Sequence, residues 1–476
     1  MAHEHASAAG GRGPRRGPNA RAPRRVQPAR RVAFAVLTAV RESDAYANLL
    51  LPREIERAGL SGADAALATE LAYGTLRRLG TYDAVIGIAA EREPSAIDPA
   101  VRDALRLGVH QLMATRVASH AAVNESVELA RESAGAGAAG FANAVLRRVA
   151  ADGADEWLAR VSASARSDDE RIGLQTSHPV WVVRALRRAL AAEDRADELG
   201  ALLDADNASP RVTMAALPGL AEPPADRTLY SPVGFPLAGG DPEPVVRGSG
   251  GTVRVQDEGS QLVALALARC GRVGPGERWL DLCAGPGGKT ALLAAEARSR
   301  GARLEANEPV PARAGLVRRA IAAVPLDVPV HERDGRALAA EHPAAFDRIL
   351  VDAPCTGLGA LRRRPEARWR KRPEDVAELA QVQRELLRAA IGALKPGGVV
   401  AYVTCSPHLA ETAAVVAEVR EELGGDVEEL DARAALQSVA RTPLDLPARA
   451  GGARHAQLWP HRHGTDAMFL ALLRRA

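Results

Sequence analysis

ERWLDLCAGPGGKTALLAAEARSR (residues 277–300) decides the fold of the longer part of this chain. An apolar run, ERWLDLC (277–283), gives way to glycines and then to TALLAAEARSR, where apolar residues recur at three- and four-residue spacing. The order is strand, tight turn, helix. Working outward, ARLEANE (302–308), VPVHERD (328–334), FDRILVDAP (346–354) and GGVVAYVTC (397–405) also read as strands. Helical stretches such as ARAGLVRRAIAA and EDVAELAQVQRELLRAAIGAL separate them. This alternation predicts a mostly parallel α/β sheet with helices on both faces, from about residue 251 to 476. AMFLALLRR (467–475) is expected to add an antiparallel edge strand.

Residues 32–165 follow a different rule. VAFAVLTAVRES, ATELAYGTLRRLGTYDAVIGIA, AVRDALRLGVHQLMA, AAVNESVELARE and FANAVLRRVAADG all carry helical spacing, with breaks at Ser61-Gly62, Asp98-Pro99 and the Gly-Ala run 135–140. A small helical bundle is expected. Residues 166–250 are mixed: a helix at SHPVWVVRALRRAL (177–190), a strand at PRVTMAAL (210–217), then Pro- and Gly-rich loops. They read as a linker and a small α/β unit. Residues 1–31 hold eight Arg against one Glu, a net of +7, with Gly and Pro throughout. That composition predicts disorder, and the charge suits either a solvated tail or a phosphate-attracting arm.

At 476 residues the chain exceeds one compact core. Aromatics make up 3%, so the cores must be built from Ala, Leu and Val. Lys289, Lys371 and Lys395 are the three lysines. Arginine carries the remaining positive charge, a bias that coding composition can produce by itself. No apolar core follows the N-terminal charges, and no stretch of about 18 apolar residues occurs, so neither a secretory signal nor a membrane span is expected. Four cysteines (Cys270, Cys283, Cys355 and Cys405) without a CxxC pair argue against a disulfide scaffold or a zinc site. A reducing, cytoplasmic setting, no metal and a monomer are the expectations.

DLCAGPGGKT (281–290) invites two misreadings. A Walker A loop needs Gly where Cys283 stands, and GxGxxG needs Gly where Thr290 stands. A triphosphate or dinucleotide therefore fits poorly. Glu308, Asp334 and Asp352 end later strands. A carboxylate after the second strand suits ribose hydroxyls, and one after the third suits an adenine amino group. Three such acids beside a glycine loop point to a nucleoside without polyphosphate.

Cys355 and Cys405 each leave a strand for a loop on this presumed ligand side, whereas Cys270 reads as a small core residue. A thiolate is a good nucleophile. Added to C6 of a pyrimidine, it makes C5 nucleophilic and able to accept a methyl group. Loss of the C5 proton and expulsion of the thiolate complete the cycle, and a second thiol can assist. A carboxyl at Asp352 is placed to meet N3 of the base.

Residues 32–476 resemble the bacterial 16S ribosomal RNA 5-methylcytosine methyltransferases of the RsmB (Sun/Fmu) type. The resemblance rests on VQDEGSQLVA (255–264), DLCAGPGGKT (281–290), ANEPVPAR (306–313), RDGR (333–336), VDAPCTGLGALRRRPEARW (351–369) and YVTCSP (402–407). AYGTLRRLGTYD, VRDALRLGVHQL and AGFANAVLRRV are similar to the NusB-type RNA-binding domain. The resemblance implies a Rossmann-like fold with a seven-stranded sheet. It implies Cys405 as nucleophile, Cys355 in product release and Asp352 at the base. S-adenosylmethionine would lie against Cys283, Ala284, Gly285, Pro286, Gly287, Gly288, Lys289, Glu308, Asp334 and Asp352. The substrate would be 16S ribosomal RNA or a partly assembled small subunit. Two departures occur: CAGPGGK where CAAPGGK is more usual, and DAMF (466–469) in place of DGFF. In LRRRPEARWRKR (361–372), Arg362, Arg363, Arg364, Arg368 and Trp369 are expected to contact phosphates and bases.

Overall fold

Helical spacing between residues 26 and 176 yields Pro28–Glu42, Ala47–Arg57, Gly62–Arg77, Leu79–Ala90, Pro99–Ala114, Ser119–Ala150, Ala154–Ala163 and Asp168–Thr176. The computed structural model describes residues 26–43, 45–447 and 452–476. Val36, Leu71, Leu76, Ile86, Leu105, Leu107 and Leu146 are buried together as the core of this bundle. Asp98 caps its helix, accepting from Ala100 N at 2.9 Å and Val101 N at 3.1 Å. The stretch 68–89 breaks at Arg78 (φ −107°), and Ser119–Ala150 kinks at Gly135 (φ 86°).

The tail expected over 1–31 lies outside the described residues up to 25. Its last residues do not belong to it: Pro28–Arg31 form the first turn of Pro28–Glu42. Proline suits the first helical turn because it has no N–H to satisfy. Arg30 is buried, with Nε donating to Gln111 Oε1 at 2.7 Å, and Arg31 pairs with Glu132 at 2.6 Å.

Helices Val180–Ala191 and Leu199–Asn207 follow, then a small antiparallel sheet of β1 (Thr213–Ala216), β2 (Gly234–Pro236) and β3 (Val253–Val255), ordered β2-β1-β3. Met214 faces Phe235 on one side and Val255 on the other. The division expected at 250/251 therefore cuts a sheet, because β3 belongs to the smaller unit.

The remaining strands are β4 (Arg278–Asp281), β5 (Arg303–Asn307), β6 (Val330–His331), β7 (Phe346–Asp352), β8 (Leu394–Thr404), β9 (Val427–Leu430), β10 (Ala456–Gln457) and β11 (Phe469–Arg475). Among the described residues they form one eight-stranded sheet, β10-β11-β8-β7-β4-β5-β6, with β9 also on β11. The pairs from β8 through β6 are parallel, and β11 is antiparallel to β8. The expected edge position of 467–475 is not observed. β9 and β10 pair along the outer side of β11, which brings the sheet to eight strands where seven were expected. Phe469–Leu473 are all buried, as a strand covered on both faces must be.

Alternation sorts the side chains to two cores. Leu350, Ala401, Val403, Leu470 and Leu472 pack with helices Glu258–Ala268 and Gly288–Arg300. Ile349, Val351, Val400, Tyr402 and Leu473 pack with Pro373–Ala393 and Ala413–Leu423. The chain runs outward from β4 to β5 and β6, then returns to the other side of β4 as β7. The carboxyl ends of β4 and β7 therefore flank a topological switch point, where α/β sheets bind ligands.

Candidate active site

The glycine loop leaves β4 at this switch point. Ala284 N donates to Asn307 O at 2.9 Å, which ties the loop to the end of β5. Gly287 has φ 104°, and a Cβ there would lie 2.5 Å from Ala320 Cβ, so glycine is required. Helix Gly288–Arg300 starts directly after this turn. Asp281 is buried at the end of β4. Its Oδ2 accepts from Thr290 Oγ1 at 2.7 Å, while Oδ1 has no protein partner. Burial pushes this carboxyl up to about 7, against the Thr290 hydrogen bond.

Glu308 is buried against the loop. It accepts from Gly285 N at 3.2 Å and Val310 N at 3.1 Å, with Arg313 at 3.4 Å. A Cβ on residue 285 would lie 2.1 Å from Glu308 Oε2, and Arg313 Nε lies 2.9 Å from the same point. Glycine instead of the more usual alanine therefore leaves room for that carboxylate. The loop's one cation, Lys289, is paired with Asp352 (Nζ–Oδ2 2.7 Å). Burial works against the lysine's charge, but Asp352 outweighs it and holds the ammonium above its ordinary value. Carboxylates at Asp281, Glu308 and Asp352, with the loop's lysine already neutralised, fit the sulfonium nucleoside S-adenosylmethionine better than a polyphosphate. Asp334 stands apart. It caps Gly335–Glu341 through Arg336 N at 2.8 Å and pairs with the Arg336 side chain, which holds it down at about 2. Cys283 packs into the core below the loop, where burial raises its thiol.

Asp352 on β7 sits beside Val403 on β8, so the two strands end together. The loops beyond them bring Cys355 and Cys405 to an Sγ···Sγ distance of 3.4 Å. Gly359 N donates to Cys405 O at 2.8 Å, and Ala467 N donates to Gly359 O at 2.8 Å. The DAMF segment thus backs the cysteine loop. Both thiols are half-buried. The hydrogen bond from Cys355 holds the Cys405 thiol below its ordinary value; burial and Asp352 oppose this, and Lys289 and Arg364 add to it. The same bond, with burial, raises Cys355. The two thiols are thus pushed in opposite directions, Cys405 towards the thiolate. Iodoacetamide should alkylate Cys405 with a half-maximal rate at a lower pH than Cys355. Residue-resolved mass spectrometry reads this, and the reverse order would make Cys355 the thiolate.

Glu411 was not singled out in the sequence. It is buried behind both cysteine loops and accepts from Thr356 N at 2.7 Å and Ser406 Oγ at 2.6 Å. Its only sequence signal is an acid six residues past Cys405, and nothing local distinguishes that from a surface acid.

The basic stretch 361–372 departs from expectation. Arg368 is completely buried and donates to Ser177 O at 3.1 Å, Asn207 Oδ1 at 2.9 Å and Asp206 O at 3.2 Å. Arg362 is held by Asp257 (2.8 Å), Asp466 (3.3 Å) and Gly464 O (2.6 Å), and Arg363 by Asp466. These three guanidiniums join segments distant in the chain; Arg368 is closed off from any phosphate, whereas the Arg363 side chain keeps 37% of its surface exposed. Trp369 is 37% exposed, with its ring edge against Gly80, and Arg364 lies over the Tyr46 ring at 5.4 Å. Buried donors and acceptors must be paired, and guanidinium groups do this well because each carries five donors. Arg368→Met should cost about 3 kcal/mol, read as an earlier first transition in denaturant. An unchanged transition with a smaller salt dependence of RNA binding would restore the contact role.

Residues 272–474 match the model of a family described as 16S rRNA methyltransferase RsmB/F, and residues 27–151 match the NusB family. Ribosomal RNA small subunit methyltransferase B of Pseudomonas syringae is 31% identical over 464 residues, covering 93% of this chain and 96% of that protein. Its namesake in Erwinia tasmaniensis is 34% identical over 358 residues, covering 72% and 79%. A Mycobacterium tuberculosis protein, whose name goes no further than methyltransferase, is 49% identical over 468 residues, covering 96% and 99%. The crystal structure of PH0851 has the same fold: TM-score 0.76 at 21% identity, covering 95% of this chain and 99% of that one.

Proposed function

The chain belongs to the 16S rRNA methyltransferase RsmB/F family, and on that premise we propose that it methylates C5 of a specific cytosine in 16S ribosomal RNA through a covalent Cys405–C6 adduct. The observation that carries this reading is the thiol pair, 3.4 Å apart at the ends of adjacent strands beside a nucleoside-type glycine loop.

S-adenosylmethionine, when bound, supplies an electrophilic methyl group. The loop Cys283–Lys289, Glu308 and Asp352 would hold it, with Glu308 assigned to the ribose and Asp334, which is paired with Arg336, to the adenine amino group. Cys405 attacks C6 of the base as a thiolate, and the C5–C6 π electrons become available at C5. The Lys289–Asp352 pair faces the polar edge of the base, where negative charge develops around N3. After C5 accepts the methyl group, a solvent water takes the C5 proton, the C–H electron pair re-forms the C5=C6 double bond, and the C6–Sγ bond breaks to release the Cys405 thiolate. Cys355, protonated beside Cys405, stabilises the departing thiolate. The base must be unpaired or flipped to enter, so a loop of free or partly assembled small-subunit RNA is the substrate. No helix among the described residues is long and apolar enough to cross a membrane. A monomer working in the cytoplasm, where ribosomal RNA is assembled, completes the proposal.

The test is transfer of labelled methyl from S-adenosylmethionine to unmethylated small-subunit RNA, protein-free and partly assembled, with the modified base mapped. One 5-methylcytosine is expected. Modification of tRNA or another ribosomal site instead would overturn the target. No transfer to any RNA would favour a non-catalytic RNA-binding assembly factor.

A further inference from the structure

The residue after each active-site cysteine is held by the same buried acid. Glu411 has no exposed surface. Oε1 accepts from Thr356 N at 2.7 Å and Gln383 Nε2 at 3.4 Å. Oε2 accepts from Thr356 Oγ1 at 2.5 Å and Ser406 Oγ at 2.6 Å. Thr356 follows Cys355 and Ser406 follows Cys405. The two hydroxyls also approach one another at 3.1 Å.

The support behind the carboxylate is itself fixed. Gln383 Nε2 donates to Pro354 O at 2.8 Å, on the other side of Cys355. Tyr402 OH, inside β8, donates to Glu411 O at 2.7 Å and Gln383 Oε1 at 3.2 Å. The short helical turn Leu409–Glu411 carries the acid back over the strand ends, within reach of both loops.

Burying a carboxylate is costly unless its oxygens are fully hydrogen-bonded. Here four donors meet it, and all are neutral. An acceptor-only group with two oxygens does something a hydroxyl or amide does less well: it takes donors from both loops at once and cannot compete as a donor. A satisfied network of this kind is rigid. Two loops that were free to part would lose the 3.4 Å thiol contact.

We propose that Glu411 is a positioning residue that clamps the DAPC and TCSP loops together and so sets the separation and hydrogen bond of Cys355 and Cys405. The inference rests on the reading of those cysteines as a working pair. Its alkylation readout needs no RNA, so failure of the RNA assignment would leave it standing.

The experiment is the pH profile of iodoacetamide alkylation at Cys405 in the full chain, for Glu411→Ala, Glu411→Gln and Ser406→Ala. None of the groups that act on this thiol (Cys355, Asp352, Lys289 and Arg364) is itself substituted in these variants, so a shift reports the distance between the loops. Glu411→Ala should move the half-maximal pH up by about one unit, because the bond from Cys355 is lost. Methyl transfer should fall about 100-fold, as a displacement near 1 Å implies, with S-adenosylmethionine affinity within a factor of two or so. Glu411→Gln keeps the shape and an acceptor, and the hydroxyls can turn to suit it, so it should restore most of both. If Glu411→Ala does not fold, Ser406→Ala carries the test, since it removes one donor and leaves the carboxylate seated. An upward shift is expected there too. An unshifted Cys405 profile in a folded variant would overturn the clamp, and so would a Glu411→Gln protein as impaired as Glu411→Ala.

Discussion

Cys405→Ser should abolish methyl transfer to RNA, with a loss of about 10⁴-fold or more, the scale on which enzymes lose rate when the nucleophile is removed. The oxygen is nearly isosteric with sulfur but stays a neutral hydroxyl at any working pH. It cannot use the bond from Cys355 that holds the Cys405 thiol down. Lys289 and Asp352 remain paired beside it, and the loop and Glu308 are untouched, so S-adenosylmethionine binding should persist. The two measurements belong together: labelled-methyl transfer and equilibrium binding of the donor. Loss of transfer with intact binding places the defect in the chemistry. Full transfer by Cys405→Ser would refute the covalent mechanism.

Cys355→Ser should behave differently, accumulating a denaturant-resistant RNA–protein complex. Attack needs the Cys405 sulfur, which is still present; completing the cycle needs the C5 proton removed and the thiolate expelled. A group that assists such a step contributes about 10²- to 10⁴-fold, and turnover should fall by that order while the adduct builds up. The bond to Cys405 and burial both push the Cys355 thiol up, the direction that the proposed role beside a departing thiolate requires. The double variant Cys355→Ser/Cys405→Ser should trap nothing. A DNA-type arrangement, with the nucleophile in the DAPC loop, predicts the opposite pattern: Cys355→Ser would form no adduct and Cys405→Ser would keep its activity. Gel retardation under denaturing conditions separates the two.

The alternation of strand and helix from residue 277 onward was legible because a buried parallel sheet leaves a strong mark in sequence. β6 was the weakest case: only Val330–His331 pair, at the edge of the sheet, where few contacts reinforce a strand. The edge position expected for 467–475 failed for a related reason. Ala456–Gln457 is too short to read as a strand by itself, yet it covers part of β11. The bundle was legible down to its Asp98 cap, but not at Pro28–Arg31, where an Arg- and Pro-rich composition hid a helical turn.

For the site, the sequence by itself determined the parts: a glycine loop, acids at strand ends, and two cysteines each leaving a strand. These are local features, because a turn, a strand end and a nucleophile are written in consecutive residues. The tertiary structure decided which of the charged residues are available. Arg362 reaches Asp466 across 104 positions, Arg368 reaches Asn207 across 161, and Glu411 reaches back to Thr356 across 55. A charge in a sequence carries no record of its partner, since an ion pair or hydrogen bond depends on distance in space. LRRRPEARWRKR therefore read as a face for RNA, while the packed chain uses Arg362, Arg363 and Arg368 to join its own segments. Glu411 read as nothing in particular, and the same packing made it the point where the two cysteine loops meet.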